Sequence, residues 1–190
     1  ARARVLVINS KYEKQLGFIK SVFDLADPRL LGKLAITDSA NNSFIAGLTV
    51  YQALAGDKKT LAFLQGLKKN TIRKVYNKHS KIVEDVAKGK RWIGLVNHYY
   101  IYRHLDKHPK APIKIILPDQ GEKGMGVAWN ISGFAIVKHT KKTKQVQQLL
   151  QFLLSKEGQE VFSKGNREYP VLKDAAVPKM IPQNYKVSKF

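Results

Sequence analysis

The sequence contains no cysteine, which excludes disulfide bonds, zinc–thiolate sites and thiol nucleophiles. It also lacks an apolar run of the ~18–20 residues that a membrane-spanning helix needs. The apolar run Val5–Ile8 is too short for the core of a signal peptide. Acidic residues are scarce, because 14 Asp and Glu stand against 34 Lys and Arg and give a formal net charge of +20.

This excess of positive charge favours anionic partners such as nucleic acid, acidic lipid, phosphate or an anionic protein surface. The lysines are scattered, and the densest stretch, residues 138–144, is typical of a turn followed by the start of a helix. Neither the aromatic and basic pattern of an RNA-binding sheet nor a zinc-finger spacing is present. We interpret the charge mainly as solvated surface and expect no nucleic-acid partner, with a basic nucleic-acid-binding module kept as an alternative.

Catalytic patterns are also missing, so we do not expect an enzyme. No serine–histidine–acid set or pair of carboxylates occurs at a suitable spacing. Residues 121–126 are glycine-rich but lack the Lys-Ser/Thr ending of a phosphate loop. His104 and His108 lie one helical turn apart and could bind a divalent metal adventitiously, but two exposed histidines at this spacing are more often a solvated face. His98 is predicted to face solvent rather than to bind a metal.

The order of predicted strands and helices favours an α/β fold with a largely parallel sheet. Residues 5–8 form an apolar run typical of a buried strand, and residues 32–37 and 113–117 predict further strands. Residues 74–76 predict a short strand, and residues 127–137 a long extended segment. Apolar residues between Val146 and Leu154 recur at helical spacing.

Two adjacent tyrosines, Tyr99 and Tyr100, follow the predicted strand at residues 91–96. Successive side chains of a strand point to opposite faces, so two neighbours share a target only where the strand gives way to a helix. The carboxyl ends of strands are where open α/β sheets collect ligands. Two phenolates form a hard anionic oxygen donor set suited to Fe(III). The alternative is an aromatic pair that packs on the edge of the sheet.

Several short segments, in their order along the chain, resemble the periplasmic ferric-ion-binding proteins, which are substrate-binding components of ABC importers. These segments are residues 1–7, 21–28, 32–33, 42–44, 95–100, 132–133, 152–159 and 168–170. The resemblance implies a type II periplasmic-binding-protein-like fold whose two lobes close on the ligand. It also implies that Tyr99 and Tyr100 bind Fe(III).

In such proteins a synergistic anion, phosphate or carbonate, binds at the start of a helix in the same lobe. The residues here that match this place and a neighbouring polar contact are Asn41, Asn42, Ser43 and Asn97. Free amides at a helix N-terminus attract an anion, which agrees with that expectation. A runner-up function is the same fold binding a small anionic metabolite.

The resemblance also implies partners, a location and a division of the chain. The partners are Fe(III) and an ABC permease in the inner membrane, and the location is periplasmic or extracellular, with membrane association through the permease. Family members carry roughly a hundred further residues before the match, and these build most of a first lobe. We therefore expect a crossing strand at 1–10, one complete lobe at 11–118, and return elements of the incomplete lobe at 119–190. A partner segment is expected to supply the rest.

Overall fold

A computed structural model describes residues 1–189 as an α/β fold built on a five-stranded sheet. The strands are β1 (Arg2–Asn9), β2 (Leu34–Ala35), β3 (Ile93–Asn97), β4 (Ile113–Ile116) and β5 (Trp129–Asn130). The helices are α1 (Asn42–Ala55), α2 (Asp57–Asn70), α3 (His79–Ala87), α4 (His98–Lys107), α5 (Thr143–Leu153) and α6 (Lys156–Asn166). No helix in this described part of the chain is long and apolar enough to cross a membrane.

The sheet is mixed, so the prediction of a largely parallel sheet was wrong. Its order is β2-β3-β1-β4, and β5 pairs with β1. β1 is antiparallel to both β3 and β4, with Leu6 opposite Leu95 on one side and Ile116 on the other, whereas β2 and β3 are parallel. Apolar runs show which segments are buried strands, but they carry no information on strand direction.

α3 packs closely on the sheet at one glycine of β3. A Cβ atom at Gly94 would lie 2.4 Å from Cγ2 of Ile82 on α3. α3 therefore lies directly on β3, and it also packs on α4. α1 packs on α2, and the core between helices and sheet includes Leu6, Leu95 and Phe63.

Several predicted elements differ in extent from the structure. The predicted strand at 74–76 forms only an isolated bridge between Thr37 and Tyr76. The extended segment predicted at 127–137 contains the short β5 and an isolated bridge between Val127 and Val187. The predicted strand at 113–117 and the amphipathic helix ending near Leu154 are confirmed.

Two compact units make up the chain. One contains Ala3–Asn130 and residues 184–189, and the other contains Ala1–Arg2 and Ile131–Gln183. In the second unit α5 packs on α6, yet α5 has no buried residue. The exposed large apolar side chains of this unit include Phe134, Val137 and Phe152. The boundaries predicted at residues 10 and 118 stay a prediction.

Candidate metal centre

The tyrosine pair lies in the first turn of α4, directly after β3. β3 ends at Asn97 and α4 begins at His98, so the two tyrosines have helical rather than strand geometry. Consecutive helical residues differ by about 100° around the axis instead of facing opposite sides. The two rings lie side by side, with centroids 4.4 Å apart and planes inclined by 33°. Tyr99 is buried and Tyr100 is half-buried.

The amide of Asn97 connects the tyrosine pair with the start of α1. Its Nδ2 donates to Oγ of Ser43 at 3.3 Å and lies 3.5 Å from the phenol oxygen of Tyr99. Its Oδ1 accepts a hydrogen bond of 3.0 Å from Nη1 of Arg4. Three of the sequence-predicted residues, Ser43, Asn97 and Tyr99, are therefore brought together in one polar network.

Asn41 has a different arrangement, because its side chain caps α1. Oδ1 of Asn41 accepts from the backbone N–H of Ser43 at 3.1 Å and of Phe44 at 3.2 Å. An Asn side chain commonly satisfies these otherwise free amides at a helix start. Asn42, the first residue of the helix, is exposed. The predicted anion-binding residues thus divide into the cap Asn41, the exposed Asn42, and the connected pair Ser43 and Asn97.

Arg4 is a buried cation that sequence reasoning missed. It lies on β1 and is 2% exposed, and its Cγ lies 3.7 Å from the place a Cβ atom would take at Gly47 of α1. Within residues 1–189 its Nε and Nη2 have no hydrogen-bond partner and no carboxylate forms an ion pair with it. Burial lowers the pKa of Arg4, while the phenols of Tyr51 and Tyr99 oppose that shift. Two unused donors on a buried guanidinium favour a small anion as their partner.

His79, the first residue of α3, is a second buried polar side chain that the sequence did not reveal. Its Nε2 lies 3.4 Å from Nη1 of Arg4, and its ring centroid lies 5.1 Å from that of Tyr100. Since a guanidinium only donates, Nε2 of His79 is the acceptor of this contact. Burial, followed by the positive charge of Arg4, lowers the pKa of His79 to about 3. The imidazole is therefore neutral in the folded chain at neutral pH.

This buried neutral imidazole predicts a loss of stability in mild acid. The pKa of His79 is about 3 in the fold against an ordinary 6.5, so between these values the unfolded chain binds more protons. The free energy of unfolding should fall as the pH drops below about 6.5, by roughly 1–2 kcal/mol at about pH 5. Urea unfolding of the chain at several pH values measures this loss of stability.

A His79→Gln variant should lose this part of the pH dependence, and the exposed His139→Gln should keep it. Equal pH dependence in the His79→Gln variant and the parent chain would contradict the assignment.

His98 corrects one expectation, because its side chain is fully buried instead of facing solvent. The backbone N–H of Ala3 donates to Nδ1 of His98 at 3.1 Å. This contact occupies one ring nitrogen as an acceptor and ties the start of β1 to the start of α4. A backbone donor from a neighbouring strand cannot be seen in the sequence, which shows only a histidine beside two tyrosines.

Other side chains near the pair are less suited to metal binding. Burial raises the pKa of Tyr51 and of Tyr102 to about 12, so their phenolates are harder to form. Among residues 1–189 there is no group of three or more His, Cys, Asp or Glu side chains that would hold a metal ion. The tyrosine pair could therefore supply at most two oxygen ligands to a metal ion.

Comparisons with known proteins show what the whole chain is similar to. The chain is 29% identical over 198 residues to iron uptake protein A1 of Synechocystis sp., covering 100% of this chain and 52% of the relative. It is 30% identical over 184 residues to the Fe(3+)-binding periplasmic protein of Serratia marcescens, covering 96% of this chain and 54% of the relative. The chain spans about half the length of these curated relatives.

The structure matches that of a Trichodesmium protein (IdiA, FutA) in complex with iron and citrate ligands. The TM-score is 0.87 at 28% identity, and the match covers 98% of this chain and 61% of that one. This confirms the type II periplasmic-binding-protein-like α/β fold over part of the neighbour's length. The sequence model of the family of bacterial extracellular solute-binding proteins matches residues 2–188. This match agrees with the expectation that the chain is not an enzyme. The chain belongs to the family of bacterial extracellular solute-binding proteins.

Proposed function

We propose that the chain binds Fe(III) through Tyr99 and Tyr100 as part of the substrate-binding component of an ABC importer. The observation that carries the proposal is the tyrosine pair itself, whose rings lie 4.4 Å apart at the junction of β3 and α4. Phenolate oxygens match the preference of a small, highly charged cation for hard ligands. The names of the relatives, an iron uptake protein and an Fe(3+)-binding periplasmic protein, support the same cargo.

Iron binding by phenols is coupled to proton release. An unperturbed tyrosine has a pKa of about 10, so Fe(III) must displace a proton from each phenol that it binds. Acid therefore favours release of the ion. Fe(III) is cargo here, and its binding to phenolate oxygens would keep it from hydrolysis and precipitation.

A synergistic anion, phosphate or carbonate, would complete the coordination of Fe(III) beside the tyrosines. Oγ of Ser43 and Nδ2 of Asn97 support this part of the proposal, because both belong to the polar network that includes the hydroxyl of Tyr99. The unused donors of the buried Arg4 add a positive charge to the same network. An anion bound there would offset the positive charges of both the Arg4 guanidinium and Fe(III).

The iron-loaded protein would be located in the periplasm, and its partner would be a permease in the inner membrane. The family description and the name of the Serratia marcescens relative support this location.

We also propose that the exposed apolar side chains of the second unit dock the residues that complete the length of the relatives. Phe134, Phe152 and Val161 are between 50% and 62% exposed, and large exposed apolar patches are typical of interaction surfaces.

Titration of the purified chain with ferric nitrilotriacetate tests the proposal, with the visible absorption spectrum as readout. We expect a tyrosinate-to-iron charge-transfer band that saturates at one Fe(III) per chain. Gallium(III), which has no such band, should compete with iron and reduce the absorbance. Absence of the band both in this chain and in a polypeptide of the relatives' full length would refute iron binding.

Binding of a small anionic metabolite is the second candidate, and the unused donors of Arg4 favour it. A phosphate-bearing or carboxylate-bearing small molecule would then bind without any metal. Thermal unfolding of the iron-free chain with phosphate or citrate distinguishes the two functions. An increase in midpoint with the anion alone, and none with Fe(III), would favour the metabolite.

A further inference from the structure

Two histidines that the proposed iron site does not use lie at the end of α4. His104 is in the last turn of the helix, and His108 is the residue that follows it, with its backbone N–H donating to the carbonyl oxygen of His104. Their ring centroids are 4.7 Å apart. Of the five histidines in the sequence, His79 and His98 are buried, whereas His104 is partly exposed and His108 fully exposed.

We infer that His104 and His108 together chelate a divalent transition metal, Cu(II) in first place, at a site separate from the tyrosine pair. Two imidazoles close together in space are a common metal-binding arrangement, and the 4.7 Å between these ring centroids brings both rings to one place at the end of the helix. Imidazole nitrogen suits Cu(II), Ni(II) and Zn(II), whereas phenolate oxygen suits Fe(III). The two ends of α4 therefore differ in the class of metal that they bind.

The surroundings of the pair keep a ring nitrogen available. Partial burial, followed by the neighbouring His108, lowers the pKa of His104, so its ring is neutral at neutral pH. Glu84 of α3 raises the pKa of His104, whereas Lys88, the residue that follows α3, lowers it. Within residues 1–189 no third histidine or carboxylate completes a protein-only site, so water fills the remaining positions. The expected order of affinity is Ni(II) < Cu(II) > Zn(II).

Isothermal titration of the full chain with Cu(II), in a buffer that does not bind metals, tests this inference. We expect one Cu(II) site. Its affinity should fall at least about tenfold in the His104→Ala variant and by a similar factor in the separate His108→Ala variant, since each leaves a single imidazole. His139→Ala removes another exposed histidine and should keep the parent affinity. Electron paramagnetic resonance of bound Cu(II) should show ligation by two nitrogens in the parent chain only.

The outcomes separate this site from iron binding. The Tyr99→Phe/Tyr100→Phe double variant should bind Cu(II) like the parent chain, whatever happens to its iron affinity. Absence of Cu(II) binding in the parent chain would overturn the inference. Unchanged affinity in both His104→Ala and His108→Ala, or an equal loss in His139→Ala, would also overturn it.

Discussion

Replacing either Tyr99 or Tyr100 with Phe is expected to weaken Fe(III) binding by more than roughly 100-fold, because each change removes a donor atom from the metal. Even groups that only support metal ligands contribute about 10–100-fold to affinity. The double variant should lose the charge-transfer band altogether. The rings, 4.4 Å apart, keep their packing when only the hydroxyl is removed, so the fold should persist. Competition with citrate, followed by visible absorption, measures the affinities.

The matched control is Tyr102→Phe, one turn along the same helix. Its hydroxyl is buried and has no hydrogen-bond partner within residues 1–189, so its removal should leave both iron affinity and stability unchanged. Thermal unfolding verifies that all variants fold. If Tyr99→Phe and Tyr100→Phe both bind iron as tightly as the Tyr102→Phe control, the tyrosine pair is not the metal site.

Replacing Arg4 with Met should change the free energy of unfolding little but weaken the binding of iron in the presence of phosphate. The change removes a buried guanidinium that has two unused donors, which relieves a desolvation cost of several kcal/mol. It also leaves Oδ1 of Asn97 without its donor, which costs about 1–3 kcal/mol. These contributions oppose each other, so the free energy of unfolding should change by less than about 2 kcal/mol. Iron affinity in phosphate should nevertheless fall at least about tenfold, since the anion loses a charged hydrogen-bond partner.

Two comparisons make the Arg4 result specific. Arg4→Lys keeps a positive charge and should retain part of the dependence of iron affinity on phosphate, whereas the exposed Arg103→Met should retain all of it. Chemical denaturation gives the stabilities, and iron titrations with and without phosphate give the coupling. An Arg4→Met variant whose iron affinity responds to phosphate like the parent chain would show that Arg4 does not contact the anion.

Local chemistry made part of the structure predictable. The apolar run around Val5 is the buried strand β1, and Asn41 caps α1 because its side chain satisfies amides that the helix leaves free. The tyrosine pair was placed correctly at the change from strand to helix. Each of these features depends on a few neighbouring residues, which is why the sequence reveals them.

The features that sequence reasoning missed depend on tertiary contacts. Arg4 lies two residues after Arg2 near the start of the chain, where charged residues commonly precede a buried strand. The structure nevertheless buries it against Gly47 and Asn97. The direction of β1 is likewise fixed by its pairing with two strands distant in sequence. His98 was assigned to solvent because nothing local shows that Ala3 donates to it. Such pairings between distant residues leave no periodic pattern.

The absence of buried residues on α5 has a consequence for local opening of the chain. Backbone amides exchange slowly with solvent deuterium where opening a helix must expose buried apolar surface. No side chain of α5 is fully buried, whereas α3 fully buries Ile82, Val83 and Val86. Amides of α5 should therefore exchange at far lower opening free energies than those of α3. A binding event that covers α5 should then appear as strong protection of amides 143–153, even where no spectroscopic change occurs near the tyrosines.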